Sequence, residues 1–152
     1  MKFDYALDKN LPQAVEAERL VLGCILLANE TLSQAAEKLN ANDFFLRSHG
    51  RIFNAMIALA AEGRAIDPIT LQELLRQSGD LESIGGTAYI ASLFDGVPRF
   101  SNIENYVGLV KDKSVTRCLI SIGSVIMNNG LDDQRDASEQ LGFAKKILNE
   151  VD

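Results

Sequence analysis

SNIENYVGLVKDKSVTRCLISIGSVIMNNG, residues 101–130, holds no proline, ends on a glycine, and decides the fold. Ser101 and Glu104 have capping-box spacing, in which the Ser hydroxyl accepts the N3 amide and the Glu carboxylate returns to the cap amide. Ile103, Tyr106, Val107, Val110, Cys118, Leu119, Ile122, Val125 and Ile126 then keep mostly three- and four-residue steps around a polar stretch from Lys111 to Ser114. Gly130 is a natural stop. These features predict one helix from Asn102 to Asn129, about 42 Å long at ~1.5 Å per residue, which exceeds the width of a domain this size, so part of it should protrude. Beyond Leu131, a second cap at Asp136 with Glu139 at N3 opens another helix, in which Ala137, Leu141, Ala144, Leu148 and Val151 follow heptad spacing. The two helices form an antiparallel hairpin that seals one seam between its members, and apolar residues left on the outer faces need a partner. Val110, Leu119, Ile122, Ile126, Leu141 and Leu148 are the candidate self-association residues, and packing inside the hairpin is the competing reading for each.

The rest of the chain also has helical period. Leu11 to Glu18 reads as a helix start, with Pro12 in the first turn and Glu16 and Glu18 near the positive end of the macrodipole. From Leu20 to Ala28 the run is apolar on every face, so this helix should centre the core, and Gly23 should let a neighbour approach closely. Thr31 with Gln34 suggests a capping box for a short helix through Leu39, and Thr70 with Glu73 another for the helix carrying Leu71, Leu74 and Leu75. Between them, Ile52, Phe53, Met56, Ile57 and Ala60 trace one helix face closed by Gly63. Asp67-Pro68 is a turn signal, Gly79 and Gly85-Gly86 break the chain, and a short helix from Ala88 to Phe94 precedes Pro98. No segment alternates with period two. The fold class is all-α: about six short helices in a compact multi-helix domain, then a protruding C-terminal hairpin. The expected organisation is a flexible tail over residues 1–10, a globular helical subdomain over 11–100, and the hairpin over 101–152.

Composition narrows the function. The 152 residues are 47% hydrophobic, enough for one core. No apolar run is long enough to span a membrane and the first ten residues lack a secretory pattern, so a cytoplasmic location is expected. The net charge of −6 removes the bulk attraction that phosphate backbones require. Lys111, Lys113 and Arg117 make the nearest approach to a basic patch, but Asp112 sits among them and a solvated helix face accounts for all four. Cys24 and Cys118 lie in apolar helical surroundings that suit buried, reduced thiols. His49, the sole histidine, has no cysteine or histidine cluster nearby and is read as a helix-start or packing residue; no metal site is expected. No Gly-Lys pair occurs, so no P-loop can form here. Glu16 with Glu18, and Asp132 with Asp133, are explained by solvation and helix dipoles. No catalytic or cofactor-binding residue is expected.

The order of motifs resembles the N-terminal domain of DnaB-type replicative DNA helicases. The match runs through Pro12 to Glu18, Leu22-Gly23, Asp43-Phe44-Phe45, His49, Ile52-Phe53, and Gly63 to Asp67. It continues through Thr70-Leu71, Gly79 to Leu81, Gly85-Gly86 to Ile90, Pro98, Asn102-Ile103, Tyr106 and Arg117, covering roughly Leu11 to Gly130. The resemblance implies the first domain of a hexameric, ATP-driven helicase, six copies of which form a collar as a trimer of dimers with their hairpins paired head to head. It implies docking of the C-terminal domain of primase, for which Tyr89, Ile120 and Ile126 correspond to the family's docking face, and in some bacteria of a helicase loader. ATP and magnesium are expected only for the motor beyond a linker, so this chain would be a non-catalytic part of an enzyme.

Three other functions compete. A single-stranded nucleic-acid-binding module would use Arg47, Arg51 and the Lys111 to Arg117 stripe, against the net charge. The helicase-binding domain of a primase has a related helical architecture. A small all-α hydrolase would need a nucleophile and base that no spacing supplies.

Overall fold

In the computed structural model, which describes residues 11–99, 102–131 and 134–151, every regular element is helical. The elements are α1 (Val15–Leu27), α2 (Thr31–Ala36), a short 3₁₀ turn (Ala41–Asp43), α3 (Arg47–Ala61), α4 (Pro68–Gln77), α5 (Gly86–Ser92), α6 (Ile103–Gly130) and α7 (Ala137–Leu148). Among the described residues there is no strand, as the absence of period-two alternation predicts. The tail over residues 1–10, Asp132, Asp133 and the Ser101 cap lie outside the described residues; the Glu104 amide donates to the Asn102 side chain, 3.0 Å away.

The chain divides into two compact units. One is Gln13–Lys111; the other takes in Pro12 and the chain from Asp112 on. The division thus falls inside α6, eleven residues beyond the boundary expected between 100 and 101, because Ile103, Val107 and Val110 of its first turns are buried in the first unit's core. These three recur in steps of four and three, one helix face, and the face turns polar at Lys111.

That core is built around α1 and α3. Val21, Leu22 and Ile25 of α1 and Ile52, Phe53, Met56 and Leu59 of α3 are sealed from solvent, joined by Leu71 of α4, Ile90 of α5 and Leu93. Two glycines make the packing possible. A Cβ on Gly23 would fall within contact distance of the Leu93 carbonyl oxygen and 2.6 Å from Val97 Cγ2, so the expected close approach is real and the neighbour is the end of α5. A Cβ on Gly50, a position without a local signal in the sequence, would sit 2.5 Å from the Ala41 carbonyl oxygen, where α3 crosses the 3₁₀ turn.

Helix ends depart from the expected caps in instructive ways. α1 begins only at Val15, so Pro12 precedes it instead of occupying its first turn. The Thr31–Gln34 box does not form; the Thr31 hydroxyl donates to the Ala28 carbonyl at 2.7 Å. For α4 the cap is Asp67, whose carboxylate accepts the Ile69 and Thr70 amides at 2.8 and 2.9 Å while Thr70 Oγ1 accepts the Asp67 amide at 3.1 Å. Pro68, with φ fixed for the helix and no N–H to satisfy, sets Asp67 as the cap and displaces the Thr70–Glu73 pairing by one turn. Asn40 and Asp43 form a further reciprocal box across the 3₁₀ turn. Asp136 caps α7 as expected, accepting the Glu139 amide at 2.9 Å.

Candidate assembly and docking surface

From Asp112 to the end of α7, no described residue is buried. The half-buried apolar residues of this stretch are Val115, Ile122, Ile126 and Met127 on α6, and Phe143, Ala144, Ile147 and Val151 on and after α7. Phe143 also lies under the Arg135 guanidinium, whose carbon is 6.0 Å from the ring centroid. The heptad pattern places Leu141 and Leu148 beside Ala144 on the hairpin seam. They lie about 60° and 40° round the helix from half-buried Ala144 and are 57% and 45% exposed, whereas Phe143 and Ile147, on the other side of Ala144, are half-buried.

One face of α6 is also apolar. Leu119 is 45% exposed, and with half-buried Ile122 and Ile126 it falls within about 60° of one helix face. Ile120 and Val125 are exposed on either side of that face, and Cys118 is exposed rather than buried. Val110 leaves the self-association set. It is 1% exposed, closed into the first unit's core one turn beyond Val107. The structure therefore brings Leu119, Ile122 and Ile126 onto one face of α6, and Leu141 and Leu148 onto one face of α7.

Tyr89 has a different setting. Its hydroxyl lies 2.5 Å from His49 Nε2, with the two rings offset-stacked at 5.9 Å and 14°. His49, fully buried, places Nδ1 2.7 Å from Glu18 Oε2. Glu18 Oε1 accepts the Phe45 amide at 2.6 Å and Oε2 the Leu46 amide at 3.4 Å, so one buried carboxylate caps the approach to α3 and orients its histidine. A carboxylate acceptor at Nδ1 assigns the proton there, leaving Nε2 to accept from Tyr89. Burial raises the Tyr89 hydroxyl above its ordinary range.

Glu18 is the principal correction to the helix-start interpretation of the Glu16–Glu18 pair. Glu16 is exposed and paired with Arg19, whose hydrogen bond lowers its carboxyl below the usual range, but Glu18 is 1% exposed. The signal was present: Glu18 shares a face with Val21, Leu22 and Ile25, and a charge on a buried face requires a partner. The acid–histidine–hydroxyl order mimics a catalytic relay, but here it joins α1, α3 and α5 as internal support.

The cations named for nucleic-acid binding are largely engaged. Arg51 pairs with Asp80 at 3.1 Å and donates to Ser83 at 2.7 Å; Lys111 lies 3.5 Å from Asp43; Arg117 donates to the Pro12 carbonyl at 2.8 Å. Among the described residues, no group of three His, Cys, Asp or Glu side chains could hold a metal, and no helix is long and apolar enough to cross a membrane.

Comparison with known proteins agrees with the motif order. The profile of the DnaB-like helicase N terminal domain matches residues 10–112. The replicative DNA helicase DnaB of Buchnera aphidicola is 42% identical over 131 residues, 86% of this chain and 28% of that protein. The Treponema pallidum DnaB is 40% identical over 140 residues, 92% of this chain and 32% of that protein. The chain thus spans less than a third of the length of these relatives. The crystal structure of the N-terminal domain of DnaB helicase from Mycobacterium tuberculosis superposes with a TM-score of 0.86 at 28% identity, covering 93% of this chain and all of that one. The N-terminal domain of DnaB helicase from Helicobacter pylori shares the fold, with a TM-score of 0.67 at 23% identity over 87% of this chain and all of that one.

Proposed function

The chain belongs to the DnaB-like helicase N-terminal domain family, and on that premise we propose that it is a non-catalytic assembly and docking domain of a hexameric replicative helicase. Its hairpin pairs with the hairpin of a second copy. The observation that carries this is the outer face of the hairpin: Leu119, Leu141 and Leu148 are about half exposed on a unit that buries no described residue of its own.

A twofold pair would present Leu119, Ile122, Ile126, Leu141 and Leu148 from both copies; the three leucines would each bury the half of their surface still open, at about 1 kcal/mol apiece, and the more enclosed isoleucines less. Association costs of several kcal/mol offset most of that gain. The isolated domain therefore forms a dimer that dissociates on dilution, and a hexameric collar draws on further contacts in the whole helicase. The N-terminal domain of the Helicobacter pylori helicase and a DnaB-like replicative helicase have been described structurally with their interactions with primase, and this chain docks primase too. Ile120 and Ile126 contribute from the hairpin and Tyr89 from the globular unit; a loader is a second partner. The domain contributes no ATP or magnesium chemistry, binds nucleic acid little, and works in the cytoplasm.

Light scattering across a wide concentration series tests the pairing. The double substitution Leu119→Asp with Ile122→Asp should leave helical content nearly intact and abolish the concentration-dependent rise in mass. Loss of helix content would instead place both residues in the fold's own packing, and an unchanged rise in mass would move the interface elsewhere.

A further inference from the structure

The first unit carries a polar cleft of about 500 Å³ between the 3₁₀ turn and the start of α3. Its walls are Asn42 and Phe45 on one side and Arg47, Arg51 and Asn54 on the other. The three α3 residues recur at i, i+4 and i+7, so they share a face, and Gly50 lies between them where α3 meets the turn. We propose that this cleft binds a short acidic peptide segment of a protein partner, with Arg47 as the principal carboxylate contact.

The cleft is held in shape before any ligand arrives. The reciprocal Asn40–Asp43 box fixes the turn, the missing Cβ of Gly50 lets the Ala41 carbonyl seat against α3, and the Glu18 carboxylate holds the Phe45 and Leu46 amides. Phe44 anchors the same loop with its ring 5.0 Å from Phe53 in the core. Such preorganisation lowers the ordering cost of binding. The chemistry inside is unspent. Arg47 has no partner among the described residues, nor do the side-chain amides of Asn42 and Asn54, whereas Arg51 is steadied by Asp80 and Ser83 with nearly half its side chain still open.

Two guanidinium groups one turn apart offer forked donors to carboxylates, and two free amides offer the donor and acceptor pair that a peptide backbone needs. The volume lies at the lower end of the range for ligand clefts, enough for a few residues. A nucleic-acid strand fits less well. Strand binding relies on a row of cations and exposed aromatic platforms, but Phe44 is buried, only Phe45 is partly open, and the chain is acidic overall at −6.

The test is nuclear magnetic resonance on the isotope-labelled 152-residue chain, titrated with a ten-residue Gly/Ser peptide carrying a central Asp-Glu-Asp. Controls are the same peptide with Asn-Gln-Asn and a dT20 oligonucleotide. The expected result is saturable movement of the Asn42, Phe45, Arg47 and Asn54 signals by the acidic peptide alone, weakened about tenfold by Arg47→Gln, the loss of one charge-assisted contact. Because Arg47 is exposed and unpaired, that variant should keep its melting temperature, which the same sample reports. No saturable movement at millimolar peptide, movement confined to the hairpin, equal binding by the Asn-Gln-Asn peptide, undiminished binding by Arg47→Gln, or tighter binding of the oligonucleotide at these signals would each overturn the proposal.

Discussion

Replacing Gly23 with alanine adds a single methyl group, and the direction of its effect is decided by what that group meets. At an open helical site the change is favourable by up to about 1 kcal/mol, because alanine restricts the unfolded chain and suits the helix. At Gly23 the new carbon meets the Leu93 carbonyl oxygen and stands 2.6 Å from Val97 Cγ2, well inside ordinary contact. The valine methyl can move aside, but the carbonyl belongs to the backbone ending α5 and can retreat only if the fully buried Ile90 and Leu93 shift with it. Overpacking of this kind costs roughly 1–3 kcal/mol, and the backbone obstacle puts Gly23 near the upper end. Subtracting the propensity gain leaves a net loss of about 2 kcal/mol, or about 4–8 °C in Tm for a chain of this size. Thermal and urea unfolding followed by far-UV circular dichroism measure both. Gly108→Ala is the internal control, since a Cβ there meets nothing within 4 Å and the variant should melt at or slightly above wild type. If Gly23→Ala behaves like Gly108→Ala, then α1 and the end of α5 do not approach as closely as described and α1 is not the centre of the core.

The buried polar support yields two further predictions. Glu18→Ala strands the Phe45 and Leu46 amides and the His49 N–H in a site closed to water, and should cost about 3 kcal/mol by urea midpoint. Glu18→Gln keeps an acceptor and should cost less; equal stability of Glu18→Ala and wild type would remove the network from the account of the fold. Tyr89 should reveal itself at alkaline pH. Burial raises its folded pKa, so the stability it contributes is complete below the unfolded value of ~10 and lost as pH rises through the folded one. The Tm difference between wild type and Tyr89→Phe should therefore be constant near neutrality and shift against wild type above ~10. A difference flat across that range would show that the hydroxyl is equally solvated in both states.

The helices themselves were legible because period is a local property. Ile52, Phe53 and Met56 mark one face whatever it packs against, and the glycines that stop helices do so at Gly63 and Gly79 with φ of +68° and +78°. Gly23 was readable for a related reason: a glycine inside a run that is apolar all round has few uses besides close approach. Other features depend on partners far along the chain. Glu18 looks like a first-turn acid until His49, 31 residues on, is brought beside it. Gly50 looks neutral until the Ala41 carbonyl arrives against it. Cap spacing is ambiguous by one turn where two patterns overlap, since Thr70–Glu73 satisfies the spacing rule but Pro68 decides which residue can leave the helix. Val110 belongs with Ile103 and Val107, which precede it on the same buried face, and not with the self-association residues. The polar stretch from Lys111 to Ser114 is more than a pause within one stripe, since no described residue of α6 beyond it is buried.

That change of environment makes the hairpin's outer residues significant. An α-helix of twelve residues such as α7 is marginal alone and needs an apolar seam. Phe143, Ala144, Ile147 and Val151 are its half-buried apolar residues, whereas Leu141, Leu148 and, on α6, Leu119 stay about half exposed. Isolated exposed leucines are common and need no explanation. Two on one face of α7, and a third joined on α6 by Ile122 and Ile126, make a repeated apolar face that the chain's own packing does not require. A twofold partner would cover it with an identical face, each copy presenting what the other lacks. Because the same contacts shield a helix pair without buried residues of its own, association would stabilise the hairpin by mass action, coupling its order to assembly while the globular unit, with its separate core, folds independently of partner concentration.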